Sequence, residues 1–306
     1  MSNPVRVRAL MYATALCLTT LVTSCADTSA PAASDGDATA AAGNEVTVPI
    51  SAVTTSVIDD GAEPREVLGP RTAPDVSQQI TLRTDFRVQQ QIDDTPNQDF
   101  SSHPLAIPLT ATTGADGVSM TLGKITTPDA KLGADLGPSE GSRAGLTIDP
   151  SGAVTALRIN PAPDAVDDAR AAIEQALYQA LYQSVVFPRE PIGVGAVWTM
   201  RQQITGGVSL DQVTTATLVE RDGNRLTIGL TVEQTPKAPV WNLPNGAGML
   251  DIDNFMMRGS GQVVVDLALP LPVEGSVTTE GAQDLRDPKT STRLRQTTNN
   301  LVQWGR

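Results

Sequence analysis

Hydrophobic and polar residues alternate along several stretches of the chain, with the period of two that is typical of β-strands having one buried face. In the clearest stretch, Ile80–Ile92, apolar residues such as Leu82 and Val88 alternate with threonine, arginine and glutamine. The same alternation recurs in four later stretches: Val118–Leu122, Trp198–Ile204, Leu226–Val232 and Phe255–Leu269. Gly259 and Gly261 fall on the inward-facing set of the last stretch, where glycine favours a bulge or a sharp bend.

Two short polar segments predict hairpin turns between such strands. Asp149–Gly152 combines proline, serine and glycine between the apolar runs Leu146–Ile148 and Val154–Ile159. Arg221–Asn224 contains an Asp-Gly pair between two further alternating runs, which is a strong hairpin signal. The last run, Thr290–Thr298, is almost entirely polar and therefore predicts an edge strand.

One segment, Asp164–Phe187, has the period of a helix instead. Its apolar residues recur at steps of three and four: Val166, Ala169, Ile173, Leu177, Leu181 and Val185. No glycine or proline interrupts it, and Pro188 ends it. The pattern predicts one long central helix over residues 164–187.

Together these elements predict an α+β fold that is mainly β. Several predicted strands exceed the usual five or six residues, and long antiparallel strands in one sheet must twist and coil. We therefore expect a long curled antiparallel sheet, a half-barrel or open barrel, packed around the central helix. We expect this sheet and helix to form a single β-rich domain over residues 63–306.

The N-terminus has the pattern of an export signal. Arg6 and Arg8 precede an apolar run, Ala9–Val22, that is shorter than the ~20 residues a membrane-spanning helix needs. The run closes with Val22-Thr23-Ser24-Cys25, which resembles the lipobox of bacterial lipoproteins. An ordinary signal peptide followed by a chance cysteine is the alternative.

The lipobox resemblance implies that residues 1–24 are removed and that Cys25 receives a diacylglyceryl group. This modification would anchor the protein on the extracytoplasmic side of the cell membrane, because two acyl chains hold a protein stably. Residues 25–62 begin with a stretch rich in alanine, serine, threonine, aspartate and glycine, and we expect them to be a flexible tether.

Composition excludes several classes of function. The net charge of −12 disfavours a nucleic-acid partner, because phosphate binding needs a basic surface. Both cysteines, Cys17 and Cys25, precede the folded part, which therefore has no disulfide or thiolate metal site. A single histidine, His103, excludes a multi-histidine metal site, and it lies in a loop-like stretch without a nucleophile motif. We predict no catalytic residues, metal or cofactor, although a pair of facing carboxylates is not excluded by sequence.

The segment Pro188–Trp198, PREPIGVGAVW, is the most distinctive in the chain. It resembles a proline followed by a Gly-x-Gly-x-x-Trp turn in a family of uncharacterised exported bacterial lipoproteins. The likeness covers roughly Glu63–Trp304, and it implies a fold but no activity. A looser, architectural likeness is to bacterial lipid-carrier lipoproteins, in which a curled sheet and helices enclose an apolar cavity; it implies an apolar ligand.

Two regions have the residues for such binding. Tyr178 and Tyr182 flank the apolar face of the predicted helix, and Pro236–Met257 reads as a long connection rich in soft apolar side chains. This connection either closes one end of the core or covers an apolar ligand as a lid. The candidate ligand-binding residues are Tyr178, Tyr182, Trp198, Trp241, Met249, Met256 and Met257.

Three functions remain open at this point. The first is a carrier of a lipid or other apolar ligand, and the second is a structural or protein-interaction lipoprotein with a filled core. An enzyme is the third, and the lack of nucleophile motifs and histidine clusters disfavours it.

Overall fold

The structure is a computed structural model that describes residues 39–40, 45–114, 117–205, 208–243 and 248–305. The predicted signal peptide and Cys25 lie outside these residues. The strands are β1 Thr39–Ala40, β2 Val46–Pro49, β3 Thr54–Asp59, β4 Ser77–Ile92, β5 Gln98–Asp99, β6 Leu105–Gly114, β7 Gly117–Leu122, β8 Arg143–Ile148, β9 Val154–Asn160, β10 Val197–Ile204, β11 Leu210–Asp222, β12 Arg225–Pro236, β13 Val240–Leu243, β14 Gly248–Asp266, β15 Glu274–Arg286 and β16 Arg293–Gly305. The α-helices are α1 Ala130–Leu136 and α2 Asp167–Leu181.

All strands belong to one antiparallel sheet, which confirms the predicted mainly β class. The strand order is β1-β2-β9-β8-β7-β6-β4-β16-β15-β14-β12-β11-β10-β3, with β5 paired to β4 and β13 paired to β14. In the part of the chain that the structure describes, the two end strands do not pair with each other, and the sheet is open. Strands β1, β2 and β3 lie within residues 25–62, so the sheet begins ahead of residue 63.

The prediction of one long central helix over 164–187 is not confirmed. Helix α2 begins only at Asp167, because Val166 has extended backbone angles. It ends at Leu181, and residues such as Phe187 leave it to pack in a different core cluster. The shorter helix α1 was not predicted; the Asp129 side chain caps it by accepting a hydrogen bond from the Leu132 amide at 2.7 Å.

Three clusters of buried side chains form the interior. Helix α2 packs on the inner face of β4 and β6–β9 in the first cluster. The second lies under β10–β12, β14 and β15 and contains Trp198 and Phe187. The third is small and contains Trp241 with Leu250 and Leu285. Among the described residues, neither helix is long and apolar enough to cross a membrane.

Two predictions, one of an edge strand and one of a long connection, were wrong. The Thr290–Thr298 run is not an edge strand, because β16 lies between β15 and β4 near the middle of the sheet. Its polar residues are accommodated by polar neighbours: Gln296 pairs across the sheet with Gln283 and Gln90. Likewise, Pro236–Met257 is not one long loop; it contains β13 and the first half of β14, which pair with each other.

A row of glutamines on the inner face fixes the end of α2. Gln202 and Gln212 both donate side-chain hydrogen bonds to the Tyr182 carbonyl oxygen, at 3.1 Å and 2.8 Å. Gln234, on the next strand, donates to the Gln212 side-chain oxygen at 2.8 Å. The last turn of α2 leaves carbonyl oxygens unsatisfied, and the sheet supplies donors for one of them.

The distinctive Pro188–Trp198 segment is a tight turn between α2 and β10. A Cβ atom at Gly193 would overlap the backbone carbonyl of Ala62, so only glycine fits this close approach. The Gly193 amide also donates to the Asp60 carbonyl at 2.8 Å. The turn therefore holds residues 60–62 close to Gly193 and positions Trp198 in the core.

Candidate functional site

An apolar cavity of about 130 Å³ lies between the second half of α2, strands β7–β9 and the connection that follows β14. One side is formed by Leu177, Ala180 and Leu181 of α2 and by the segment that follows the helix, with Ser184, Val185 and Phe187. Its sheet side is formed by Met120, Leu146, Ile148, Val154, Leu157 and Trp304. The cavity is closed by Val265 of β14 and by residues of the β14–β15 connection, namely Leu267, Leu269, Pro270, Leu271 and Pro272. Ser184 and Asp266 are the polar side chains among the lining residues.

Small side chains on α2 and just after it leave this space open. Ala180 faces the cavity between the larger Leu177 and Leu181, and its single methyl group cannot reach the opposite wall. Ser184 also faces the cavity, and its hydroxyl donates to the Leu181 carbonyl at 2.7 Å. The polar group at this position is thus already satisfied, which keeps the wall effectively apolar.

The opposite wall is held by a buried glutamine. The Gln78 amide nitrogen donates to the Leu271 carbonyl at 3.1 Å, and the Leu271 amide donates back to the Gln78 side-chain oxygen at 2.9 Å. This reciprocal pair fixes Leu271 against β4, so the wall has a defined position. Fixed walls of this kind favour binding, because little conformational freedom is lost when a ligand enters.

The cavity has the size of a small apolar group. An engineered apolar cavity of roughly 150 Å³ stays dry and binds benzene. A space of about 130 Å³ can therefore take a ring or a short stretch of alkyl chain. A whole lipid would have to extend beyond it.

The two predicted tryptophans lie in the core instead of in this cavity. Trp198 is 0% exposed, its ring is stacked on Phe187 with centroids 6.2 Å apart, and its indole N–H donates to the Val186 carbonyl at 2.9 Å. Because Phe187 lines the cavity, Trp198 supports the wall from behind. Trp241 is equally buried, in the third core cluster.

The remaining predicted residues also lie outside the cavity lining. Met249 and Met256 are exposed, and Met257 is half-buried on β14 opposite Gly281. Tyr178 and Tyr182 are half-buried near the end of α2, where burial raises the pKa of both hydroxyls and keeps them protonated. The structure therefore brings together the α2 face and the β14–β15 connection, and it separates them from the methionines.

Sequence reasoning missed the β14–β15 connection. The sequence signal for this connection was the pair Pro270 and Pro272. Proline cannot donate to the hydrogen-bond ladder, so the two residues end the alternating strand in a short apolar segment. Leu269 and Leu271 within it are apolar residues in a turn, an unusual position that indicates packing on another element.

His103, the single histidine, lies on the other side of α2 at the mouth of a polar cleft. Its Nε2 atom is 3.6 Å from a carboxylate oxygen of Asp129, and its side chain is more than half exposed. The described residues contain no cluster of three or more histidine, cysteine, aspartate or glutamate side chains placed to hold a metal ion.

Comparisons with known proteins do not identify a relative. No family model matches the chain, and no curated protein matches it. Among solved structures, the chain is similar to OmpT, an outer membrane protein of Vibrio cholerae in its in-vitro folded trimer form, at 5% sequence identity and a TM-score of 0.20. That match covers 74% of this chain and 100% of OmpT.

Proposed function

We propose that this protein is a lipid-anchored, non-catalytic protein of the cell envelope that binds a lipid or another apolar ligand. The ligand enters the cavity between α2 and the sheet, on the concave side of a half-barrel that curls around this helix. The observation that carries the proposal is the apolar wall of that cavity, to which the helix, five strands and the β14–β15 connection all contribute. Such convergence of separate elements on one apolar space is typical of ligand pockets.

The size of the cavity favours a second candidate function. At about 130 Å³ it lies below the ~300–1,000 Å³ of most small-molecule pockets. Trp198 and Trp241 are also buried in packed core clusters instead of lining a larger cavity. The alternative is therefore a structural or protein-interaction lipoprotein whose core is filled.

Filling the cavity with a larger side chain separates these two functions. Ala180→Leu directs extra carbon atoms into the space, so it should lower binding of an apolar ligand at least tenfold while preserving the fold. The full chain carrying Cys25→Ser, recovered without detergent, would be mixed with dodecanoic acid and examined by native mass spectrometry. Adducts in this parent chain that disappear with Ala180→Leu support the carrier.

The matched control is Ala171→Leu, the same change on the opposite face of α2, which should leave dodecanoic acid binding unchanged. A bare protein mass at every dodecanoic acid concentration would reject the carrier in favour of the filled core. Equal adducts in the parent chain and the Ala180→Leu variant would show that the ligand binds somewhere else.

The membrane anchor is tested separately at Cys25, which lies outside the described residues. Cys25→Ser removes the thiol that would carry the diacylglyceryl group, so the protein should move from the membrane fraction to the soluble fraction. Cys17→Ser is the control and should remain with the membrane, because residue 17 lies in the segment that is removed. Membrane retention of the Cys25→Ser chain would contradict lipidation at this position.

A further inference from the structure

A second space lies on the face of α2 that points away from the apolar cavity. It is a cleft of about 350 Å³ between α2, α1, the inner face of β4 and the segment around Ser102. Helix α2 contributes Ala171, Gln175 and Gln179 to it, whereas Leu177 and Leu181 face the apolar cavity. One helix thus separates two spaces of opposite character.

The inner part of this cleft presents neutral polar side chains to the open space. Gln179 is 9% exposed, lines the cleft, and its amide has no hydrogen-bond partner among the described residues. Thr84, on β4 across the cleft, is 7% exposed. The Gln175 amide donates to the Ser102 hydroxyl only at 3.5 Å, the outer limit of a hydrogen bond. Amides that reach such a cleft can hydrogen-bond to water or to a ligand that displaces it.

The shape of the cleft follows from small residues on the helix. Ala171, Ala172 and Ala176 line it beside the glutamines, and their short side chains leave the space that a larger residue would fill. Phe86, half-buried on β4, presents an aromatic ring in the same space. A volume of 350 Å³ lies within the ~300–1,000 Å³ of small-molecule pockets.

Charges at the mouth of the cleft select against anions. Three carboxylates, those of Asp129, Asp135 and Asp168, line the mouth. Lys131 is 2.8 Å from Asp135 and 3.9 Å from Asp168, so its charge is already shared between two carboxylates. His103 contacts Asp129 at 3.6 Å. The negative excess disfavours phosphate or carboxylate ligands, while the polar groups inside the cleft are neutral.

We propose that this cleft binds a neutral sugar, as a pyranose ring or a short glycan. The Gln179 and Gln175 amides can each donate to one hydroxyl and accept from its neighbour, and Thr84 adds a further hydroxyl contact. The apolar face of the ring packs on Phe86. The proposal uses different residues from the apolar cavity, so neither depends on the other.

The test uses the full chain in a polyoxyethylene detergent, which carries no sugar. Glucose, galactose, mannose and maltose are titrated and followed by saturation-transfer difference NMR, with glucose 6-phosphate and ethylammonium as charged probes. We expect at least one neutral sugar to bind and glucose 6-phosphate to bind at least tenfold more weakly than glucose. No transfer to any neutral sugar at tens of millimolar, or binding of ethylammonium alone, would overturn the proposal.

Two variants locate the site. Gln179→Leu keeps the side-chain size while removing the amide, and it should weaken sugar binding at least tenfold. Ala171→Leu adds carbon atoms to an open space, so it should fold normally and also weaken binding at least tenfold. Ala180→Leu, which fills the apolar cavity, is the control and should leave sugar affinity unchanged. Unchanged affinity in Ala171→Leu would reject this cleft, including in the case that Gln179→Leu does not fold.

Discussion

Trp198→Ala is expected to lower the free energy of unfolding by about 3–5 kcal/mol, the range found for removing a large buried aromatic side chain. The indole is fully buried, and the substitution leaves both a void and the Val186 carbonyl without its donor. It also removes the ring that supports Phe187, which forms part of the wall of the apolar cavity. Urea unfolding of the full chain, followed by far-ultraviolet circular dichroism, measures the change.

Met256→Ala is the matched control for this substitution. The Met256 side chain is 55% exposed, so its removal should change the free energy of unfolding by less than about 0.5 kcal/mol. A Trp198→Ala effect as small as that of Met256→Ala would mean that the packing around β10 is not as described. Trp198 and Met256 were both predicted to bind ligand, and their different burial is the reason for the different expected losses of stability.

Gly261→Ala is expected to have the second largest effect, lowering the free energy of unfolding by roughly 1–3 kcal/mol, as overpacking does. Gly261 lies on the inner face of β14, directly opposite Val277 of β15. A Cβ atom there would overlap the Ser276 carbonyl oxygen and would lie 2.6 Å from the Val277 Cα atom. Backbone atoms cannot rotate away as a side chain does, so the two central strands must separate.

A second strand glycine, Gly229, shows whether the effect comes from this close approach. A Cβ atom at Gly229 would meet only the Val219 side chain at 3.5 Å, an ordinary contact. Gly229→Ala should therefore be neutral or stabilise the protein by up to about 1 kcal/mol, because alanine has less freedom in the unfolded chain. Equal losses at Gly229 and Gly261 would show that any glycine replacement in the sheet is harmful.

Much of the sheet could be predicted because its strands have one apolar face. The Ile80–Ile92 alternation corresponds to β4, where the buried and less buried positions alternate along the strand. The Asp-Gly pair at 222–223 forms the predicted hairpin between β11 and β12. In both cases the signal lies in neighbouring residues, and the tertiary structure is consistent with it.

The elements that were missed are those whose burial depends on other strands. β16 has few apolar residues, and it is central because Gln296 faces further glutamines on β4 and β15. A single sequence does not show which polar runs will meet a polar partner. Helix α1 carries the cap signal Asp129, but Gly133 in its middle lowers its helix propensity.

The candidate site was predicted only in its general character. The sequence predicts an apolar space beside the central helix, yet the observed cavity also needs a wall from Leu271, a residue far along the chain from Ala180. Periodicity gives the apolar face of a helix but not the places where opposing side chains fail to meet. The methionines of β14 were predicted to bind ligand because their side chains are flexible and polarizable. In the structure, Met249 and Met256 are exposed to solvent.

The glutamine row that holds the end of α2 has a consequence for the conditions under which the interior keeps its geometry. Gln202, Gln212 and Gln234 carry no charge at any pH at which proteins are folded, so the hydrogen bonds to the Tyr182 carbonyl do not titrate. Salt screens interactions between charges and leaves neutral amide contacts almost unaffected. The end of the helix that forms a wall of both spaces is thus held by contacts that depend little on pH or ionic strength.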